Sequence, residues 1–323
     1  MITHKTMFVR ILLATAMAFA LPVHAQDYPG KPIKIVVPYS PGGGTDIVAR
    51  LLAEKLQGKW GHAVIVDNRP GAGGNLGAGA VSAAAPDGYT ILFTAQGPLV
   101  VNKSIYARLT YDPDAFVPVS LVTVAYSVLL VNPKMSANSV QQLIAFAKAN
   151  PGRLNYASQG IGTAAHLIAE LFKSMAGVSI VHIPYKGTGP ALTDLVAGQV
   201  DMMFGELAAA DPYIRSDKLR ALAVSSEKRN PSLPNVPTMS EALPGFVVTS
   251  WWAIVAPPGT PSAIANSLSS AIAESLKQPD FARRLVDLSM VATGSTPAEL
   301  GLFIKQESKR WGEVIRAAGV QAQ

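Results

Sequence analysis

Glycine- and hydroxyl-rich segments follow apolar, strand-like runs at several points in this 323-residue chain. The first, Pro38-Tyr39-Ser40-Pro41-Gly42-Gly43-Gly44-Thr45-Asp46, lies between an apolar run at 33–37 and an amphipathic run at 47–56. Glycine lets a ligand approach the backbone closely. The N–H groups at the start of the following helix have no intrahelical partner and attract anions. The segment therefore predicts an anion-binding turn, with a tight turn that binds nothing as the alternative.

A second segment of this kind, Ser158-Gln159-Gly160-Ile161-Gly162-Thr163, follows the strand-like run at 154–158. Two such turns facing each other would bind both ends of a ligand with two carboxylates, because each charge-assisted hydrogen bond contributes roughly 1.5–3 kcal/mol. Loops after the other predicted strands add further polar and aromatic groups. The predicted ligand-binding residues are Tyr39, Gly43, Gly44, Thr45, Asp46, Ala95, Gln96, Ser158, Gln159, Gly160, Thr163, Tyr185, Gly187 and Glu206.

Some of these side chains also have purely structural interpretations. Asp46 falls in a first helical turn, where a carboxylate is favourable with or without a ligand. Glu206 either binds an amino or hydroxyl group of the ligand or caps the helix that follows it. Tyr39 and Tyr185 either form aromatic walls around the ligand or belong to the core at the ends of their strands.

Signatures of catalysis, nucleotide binding and metal binding are missing from the sequence. The N-terminal glycine loops lack the G-x-G-x-x-G spacing, and neither a phosphate loop nor a G-x-S-x-G elbow occurs. After residue 25 the histidines are His62, His166 and His182, none with metal-ligand spacing to acids. A secreted serine hydrolase that uses Ser158 and His166 is a remote alternative. We therefore predict a binding protein rather than an enzyme, with no catalytic residue, metal or cofactor.

The first 25 residues have the three parts of a secretory signal. Lys5 and Arg10 precede an apolar stretch at 11–21, and Val23-His24-Ala25 matches a small-x-small cleavage site. The apolar stretch is shorter than the roughly 20 residues of a membrane anchor, which is the alternative. We predict cleavage between Ala25 and Gln26 and a mature protein in the periplasm.

The charge of the chain is mildly positive, with a formal net charge of +6 at pH 7. Removal of the signal, which holds two basic residues and no acid, leaves about +4. The basic residues are scattered and form no run, which argues against a nucleic-acid partner. A modest positive field suits an anionic small ligand.

Strand-like and helical patterns alternate along 33–95 and again along 139–225, which predicts two α/β units with mostly parallel sheets flanked by helices. Apolar runs at 127–131 and 249–256 bracket the second unit and are predicted to carry the chain out and back. Trp251 and Trp252 are predicted to pack within the returning strand, with at most one facing the ligand. Three C-terminal helices, at 262–276, 279–288 and 297–318, are predicted to pack on the first unit.

These patterns predict two lobes with the ligand between the carboxyl ends of their sheets. Lobe 1 is discontinuous and the two chain crossings act as hinge strands. The predicted ranges are 26–125 plus 252–323 for lobe 1, 126–251 for lobe 2, and 124–131 and 248–256 for the hinge strands.

An ordered set of motifs in the mature chain resembles the Bug family of extracytoplasmic solute receptors, the substrate-binding components of tripartite tricarboxylate transporters. Any one motif is weak, but the set covers nearly the whole mature chain in the family's order. The resembling stretches are Pro38 to Asp46, Val66-Asp67-Asn68-Arg69-Pro70-Gly71-Ala72-Gly73-Gly74-Asn75, Pro86-Asp87-Gly88-Tyr89-Thr90, His182-Ile183-Pro184-Tyr185-Lys186-Gly187, Gly198-Gln199-Val200-Asp201-Met202-Met203-Phe204 and Arg310-Trp311-Gly312.

The resemblance implies a two-lobed periplasmic binding protein with the type II crossover arrangement. It implies a cleft that closes on a small carboxylate (a di- or tricarboxylate, an amino acid or an aromatic acid) and a receptor, expected to be a monomer, that delivers it to membrane transporter subunits. A receptor that passes ligand occupancy to a signalling partner is the alternative. Gln159, Ile161 and Glu206 depart from the residues usual in the family, and we expect them to decide which carboxylate binds.

Overall fold

A computed structural model describes residues 28–185 and 187–321 of the chain. The predicted signal peptide, its cleavage position and Lys186 lie outside the described residues. No helix within the described ranges is long and apolar enough to cross a bilayer.

The N-terminal residues form three parallel strands with helical connections. Strands β1 (Ile33–Val37), β2 (Val64–Asn68) and β3 (Thr90–Ala95) pair in the order β2-β1-β3. Helix α1 (Gly44–Trp60) connects β1 to β2, and α2 (Asn75–Ser82) connects β2 to β3. Helix α2 lies very close to the end of β1, since a Cβ built on Gly77 would be 2.7 Å from Cβ of Pro38. Only glycine at this position allows that approach.

Strands from later in the chain complete this first sheet. Strand β9 (Thr249–Ala256) lies antiparallel between β3 and the long strand β4 (Val117–Val131). The three-residue strand β10 (Met290–Ala292) also pairs antiparallel with β4. Buried apolar side chains of β1, β3 and β9 pack under α1 and α9 (Ser262–Leu276) to form one core cluster.

The second sheet uses the last residues of β4 together with strands from the middle of the chain. Residues 127–131 of β4 pair antiparallel with β7 (Met202–Glu206) and, on the other side, with β8 (Arg220–Val224). Strand β5 (Asn155–Ser158) is parallel to both β7 and β6 (Val181–Pro184). The remaining helices are α3 (Asn102–Ile105), α4 (Val140–Ala149), α5 (Ala164–Ala176), α6 (Thr188–Ala197), α7 (Leu207–Arg215), α8 (Met239–Ala242), α10 (Pro279–Asp287) and α11 (Pro297–Ala318).

The two sheets meet on one continuous strand and one helix. Strand β4 changes partners after Tyr126, where pairing with β9 ends and pairing with β7 begins at Ser127. Helix α11 packs against both β4 and α5, and a single core cluster runs through both sheets. The C-terminal helix, which was predicted to pack on the first unit, therefore contacts both halves of the molecule.

Most predicted elements lie within a few residues of the observed ones, but the crossing strand is longer than expected. The sequence indicated a strand from residue 127, and β4 begins at Val117 because its first part pairs with β9 through two register shifts, at 118–120 and 121–123. Strand β10 and helices α3 and α8 were not predicted, and α7, the helix expected after Glu206, was predicted without bounds. All four are short or lack the clear periodicity that marks an amphipathic helix or a buried strand.

Candidate functional site

A cavity of about 320 Å³ lies where the carboxyl ends of strands from both sheets meet. This volume is at the lower end of the range of roughly 300–1,000 Å³ for small-molecule sites. Its walls combine aromatic, hydroxyl and amide groups with exposed backbone. The lining residues are Tyr39, Thr45, Gly73, Ala95, Gln96, Gly97, Asn102, Ile105, Tyr106, Ser127, Gln159, Ile161, Gly162, Thr163, Ala164, Ala165, Phe204, Glu206, Ser250, Trp251 and Trp252.

The loop before α1 contributes Tyr39 and Thr45 to the cavity wall. Burial raises the pKa of Tyr39 to about 12, so its hydroxyl is neutral at physiological pH. The indole N–H of Trp252 donates to the Thr45 hydroxyl at 2.8 Å. Because that hydroxyl already accepts a hydrogen bond, its own proton is free to be donated to a ligand.

Asp46 stabilises this loop from inside the protein. Its carboxylate, which is 3% exposed, accepts hydrogen bonds from the backbone N–H of Gly42 at 2.9 Å, from Asn68 Nδ2 at 2.9 Å and from Arg50 Nε at 3.0 Å. Burial alone would raise the pKa of Asp46, but the bonds from Arg50, Gly42 and Asn68 outweigh burial and lower the pKa. This is the structural role that the sequence left open for Asp46, and Asp46 does not line the cavity.

The N terminus of α5 forms the opposite wall. Thr163, Ala164 and Ala165 all line the cavity, and the backbone N–H groups of Ala164 and Ala165 have no acceptor among the described residues, as expected at a helix start. No acid lies in the first turn of α5. The positive end of this helix is therefore open to an anion in the cavity.

The two walls touch at Gly162 and Ile105. Gly162 adopts a φ of +76°, and a Cβ built on it would lie 2.7 Å from Cδ1 of Ile105, which follows the first sheet's strand β3. Any larger residue at this position would meet both the backbone strain of positive φ and a clash across the cavity.

A stack of aromatic side chains supports the loop before α5. The rings of His166 and His182 are parallel at 4.0 Å between centroids, and His182 also stacks on Tyr156 at 4.7 Å. His166 lies in the first turn of α5, and its Nδ1 accepts a hydrogen bond from the backbone N–H of Gly162 at 3.0 Å. Burial lowers the pKa of both histidines, that of His182 to about 4. Neutral imidazoles therefore position the loop at physiological pH.

Ser158 pairs with a histidine, but not with the one that the hydrolase alternative required. Its hydroxyl is 2.7 Å from Nε2 of His182 and also bonds to the backbone of Gly160. His166, the histidine of that alternative, lies in the first turn of α5. Ser158 is fully buried and does not line the cavity, so the geometry gives a nucleophile at this position no route to a substrate there.

Half of the predicted ligand-binding residues line the cavity: Tyr39, Thr45, Ala95, Gln96, Gln159, Thr163 and Glu206. The others lie off its wall: Gly43, Gly44, Asp46, Ser158, Gly160, Tyr185 and Gly187. Several of these polar groups have protein partners instead; the Tyr185 hydroxyl, for example, donates to Asp194 at 2.7 Å. Ligand contact by any of the fourteen stays a prediction.

Sequence reasoning missed wall residues that are brought in by distant parts of the chain. They include Asn102, Tyr106, Ser127, Ser250 and both tryptophans, which were predicted to pack within their strand with at most one facing the ligand. Asn102 Nδ2 donates to Gly73 O at 3.1 Å and to Asn75 Oδ1 at 2.6 Å, which connects α3 to the glycine-rich loop between β2 and α2. The apolar, aromatic-rich run at 249–256 was the available signal for the tryptophans.

Comparison with known proteins gives a consistent result. The family model described as "Tripartite tricarboxylate transporter family receptor" matches residues 48–320. The chain is 41% identical over 314 residues to protein BugT of Bordetella pertussis, covering 96% of each chain.

Solved structures with the same fold include two that contain carboxylates. An R. palustris protein, Rpa4515 with adipate, has a TM-score of 0.79 and 35% identity, covering 91% of this chain and 99% of that one. MatC from Rhodopseudomonas palustris with bound malate has a TM-score of 0.75 and 34% identity, covering 89% and 100%. The fold is thus that of a two-lobed periplasmic binding protein with sheets flanked by helices, as predicted. The sheets are mixed rather than mostly parallel, because β4 and β9 pair antiparallel with their neighbours. The chain belongs to the tripartite tricarboxylate transporter receptor family.

Proposed function

We propose that the protein is a periplasmic solute receptor that captures a small carboxylate in the cavity between its two sheets and delivers it to a tripartite tricarboxylate-type membrane transporter. The observation that carries the proposal is the start of α5, where the backbone N–H groups of Ala164 and Ala165, which have no acceptor among the described residues, lie at the cavity wall. The adipate and malate bound in two related structures support a carboxylate as the ligand.

The wall is suited to binding rather than to chemistry. Backbone N–H groups and the Thr45 hydroxyl offer donors without a full positive charge, while Trp251, Trp252 and Phe204 offer apolar surface. The Thr163 hydroxyl already donates to Gly160 O at 2.7 Å. Three or four charge-assisted hydrogen bonds of roughly 1.5–3 kcal/mol each, less the entropy lost on association, give an affinity in the micromolar range or better.

The two sheets are the basis of the proposed lobes. Lobe 1 comprises residues 26–125 and 252–323, and lobe 2 comprises residues 126–251. Both crossings lie close to the observed change of partners in β4 and to the start of β9. Opening would bend the chain near 124–131 and 248–256 and would slide α11 against α5, since α11 contacts both halves. Secretion with removal of residues 1–25 would place this receptor in the periplasm. We expect it to be a monomer there.

Ligand binding is tested on refolded, ligand-free mature protein by thermal shift across a broad panel of carboxylates, followed by calorimetry. A ligand at about 100 times its dissociation constant stabilises the folded state by about 2.7 kcal/mol, which raises the melting temperature measurably. Native mass spectrometry of the protein as purified checks for a retained carboxylate. No shift across the panel and no retained ligand would contradict the proposal.

Delivery is tested separately, with the two membrane subunits reconstituted in vesicles. We expect uptake of the identified carboxylate to require the receptor and to saturate with receptor concentration. Tight binding without receptor-dependent uptake would retain the binding function and refute the transport role, as expected of a signalling receptor.

A further inference from the structure

Glu206 is the single charged residue among those described around the cavity. It ends strand β7 and lies opposite Ser127 of β4, at the point where the two sheets join. Strand β7 neighbours β5, whose carboxyl end leads into the loop before α5. The acid and the open N terminus of α5 therefore share one edge of the second sheet.

The Glu206 carboxylate has no hydrogen-bonding or ionic partner among the residues that the structure describes. It occupies the N-cap position of α7 but makes no capping hydrogen bond, which removes the structural role that the sequence left open. The Glu206 side chain is exposed at the cavity wall, and desolvation by the neighbouring protein still raises the pKa of its carboxyl. A positive group close to a desolvated carboxyl stabilises its ionised form.

A second acceptor in the same cavity is also unsatisfied. Oε1 of Gln96 is buried and has no hydrogen-bond partner among the described atoms. A buried acceptor without a donor is unfavourable, so a ligand that draws the Gln96 side chain toward it would gain by supplying the donor. The cavity itself offers donors at the start of α5 and an acceptor at Glu206.

We propose that Glu206 binds an ammonium group of the ligand, so that the receptor selects a carboxylate that also carries an ammonium group over a di- or tricarboxylate. This inference rests on the proposed function. A second carboxylate beside Glu206 would face a like charge with no described cation nearby, which disfavours its binding.

The test compares two pairs of probes by calorimetry at neutral pH. Leucine and 4-methylpentanoate differ by an ammonium group beside the carboxylate, and 6-aminohexanoate and adipate differ at the far end. We expect the ammonium-bearing member of at least one pair to bind the wild-type protein roughly tenfold more tightly or better, the effect of one charge-assisted hydrogen bond. Glu206→Gln, which keeps the shape of the side chain, should remove that preference and improve binding of adipate.

Glu227→Gln is the matched control, because Glu227 is exposed and does not line the cavity. Circular dichroism and an unchanged melting temperature of the free protein establish that Glu206→Gln is folded. Equal or tighter binding of the ammonium-free member in both pairs would overturn the assignment of Glu206 and leave the receptor function intact. The same conclusion follows if only ammonium-free carboxylates from the broader panel bind. If no carboxylate binds at all, both proposals fail.

Discussion

Helices α1 and α5 both begin after a glycine-rich loop at the end of a buried strand, and both starts lie beside the cavity, but only α1 has an acid in its first turn. Asp46 accepts three hydrogen bonds there and partly neutralises the positive end of α1 from within the protein. Helix α5 has no such acid, and Thr163, Ala164 and Ala165 reach the cavity.

The loop before α1 thus has mainly a structural role, whereas the loop before α5 mainly forms the wall of the cavity. The segment with three successive glycines is the more conspicuous in the sequence, yet Gly43 and Gly44 lie off the cavity wall. A glycine-rich turn before a helix is thus insufficient to identify an anion site. The charge balance of the first helical turn decides whether the N terminus is available to a ligand.

The largest expected effect comes from removing one N–H group at the start of α5, compared with the same change at the start of α1. Proline is tolerated at the first helical position and has no N–H. The preceding residues, Thr163 (φ −71°, ψ 162°) and Gly43 (φ −78°, ψ 166°), already have the extended backbone that proline requires before it. Ala164→Pro should weaken carboxylate affinity roughly tenfold to hundredfold, the loss of one charge-assisted hydrogen bond.

Gly44→Pro is the matched variant at α1 and should change affinity by less than roughly threefold, because this terminus is already neutralised by Asp46. A Cβ at residue 44 would lie 3.2 Å from Cε of Met290, the flexible end of a side chain that can move aside. Calorimetry with the tightest carboxylate of the thermal-shift screen measures both variants. Equal losses in the two would show that the termini are equivalent.

Asp46→Asn should affect folding more than binding. The substitution keeps the shape of the side chain but removes the charge that accepts hydrogen bonds from Gly42, Asn68 and Arg50, at an expected cost of about 1–3 kcal/mol in the free energy of unfolding. Urea denaturation measures this cost, and calorimetry should find ligand affinity nearly unchanged.

Asp280→Asn serves as the control for Asp46→Asn, because the exposed ion pair of Asp280 with Lys55 contributes little. A large loss of affinity in Asp46→Asn with unchanged stability would instead make Asp46 a ligand-binding residue and contradict the scaffold role.

Low pH should lower the free energy of unfolding, because the stacked histidines beside α5 become protonated. Burial lowers the pKa of His166 and His182 below the value near 6.5 in the unfolded chain, so folding favours their neutral forms. Their contribution to stability is therefore complete above a pH of about 6.5 and is lost as the pH falls toward about 4. We expect a loss on the order of 1 kcal/mol between pH of about 7.5 and about 5, after allowance for partial exposure.

His182→Gln should reduce this pH dependence, while His62→Gln, outside the stack, should not. Urea denaturation at the two pH values compares both variants with the wild-type protein. Protonation of His166 at Nδ1 would also break its hydrogen bond with the Gly162 N–H, in the loop that forms one cavity wall. Ligand affinity should therefore decrease as the pH falls. An unchanged free energy of unfolding across this pH range would contradict the assigned role of the stack.

Features that depend on neighbouring residues could be predicted from the sequence. The strand, loop and helix around Gly44 follow from an apolar run, a glycine cluster and a helical stripe within some 25 residues. Glu206 was predicted for a similar reason, because it directly follows the apolar residues of β7. The identity of the fold was also accessible, since the ordered motifs cover nearly the whole mature chain.

Features that depend on pairing between distant segments could not be predicted. Ser127 and Ser250 reach the cavity because β4 and β9 pair in a register with two shifts, which no local pattern encodes. The contact of Ser158 with His182 arises because β5 and β6 are adjacent parallel strands, and sequence proximity favoured His166 instead. Asp46 was ambiguous because its partner Asn68 lies on the next strand.

The position of β9 also constrains the order in which the protein can fold. The second sheet is complete once residues up to Val224 are available, whereas the first sheet lacks the strand between β3 and β4 until residue 256 has emerged. Such long-range pairing slows folding, because the loop must close before the contact forms. Until β9 arrives, the facing edges of β3 and β4 are unpaired and open to intermolecular pairing. A chain that emerges from its N terminus would therefore complete the strands of the second sheet first and leave the first sheet dependent on β9 and then on β10.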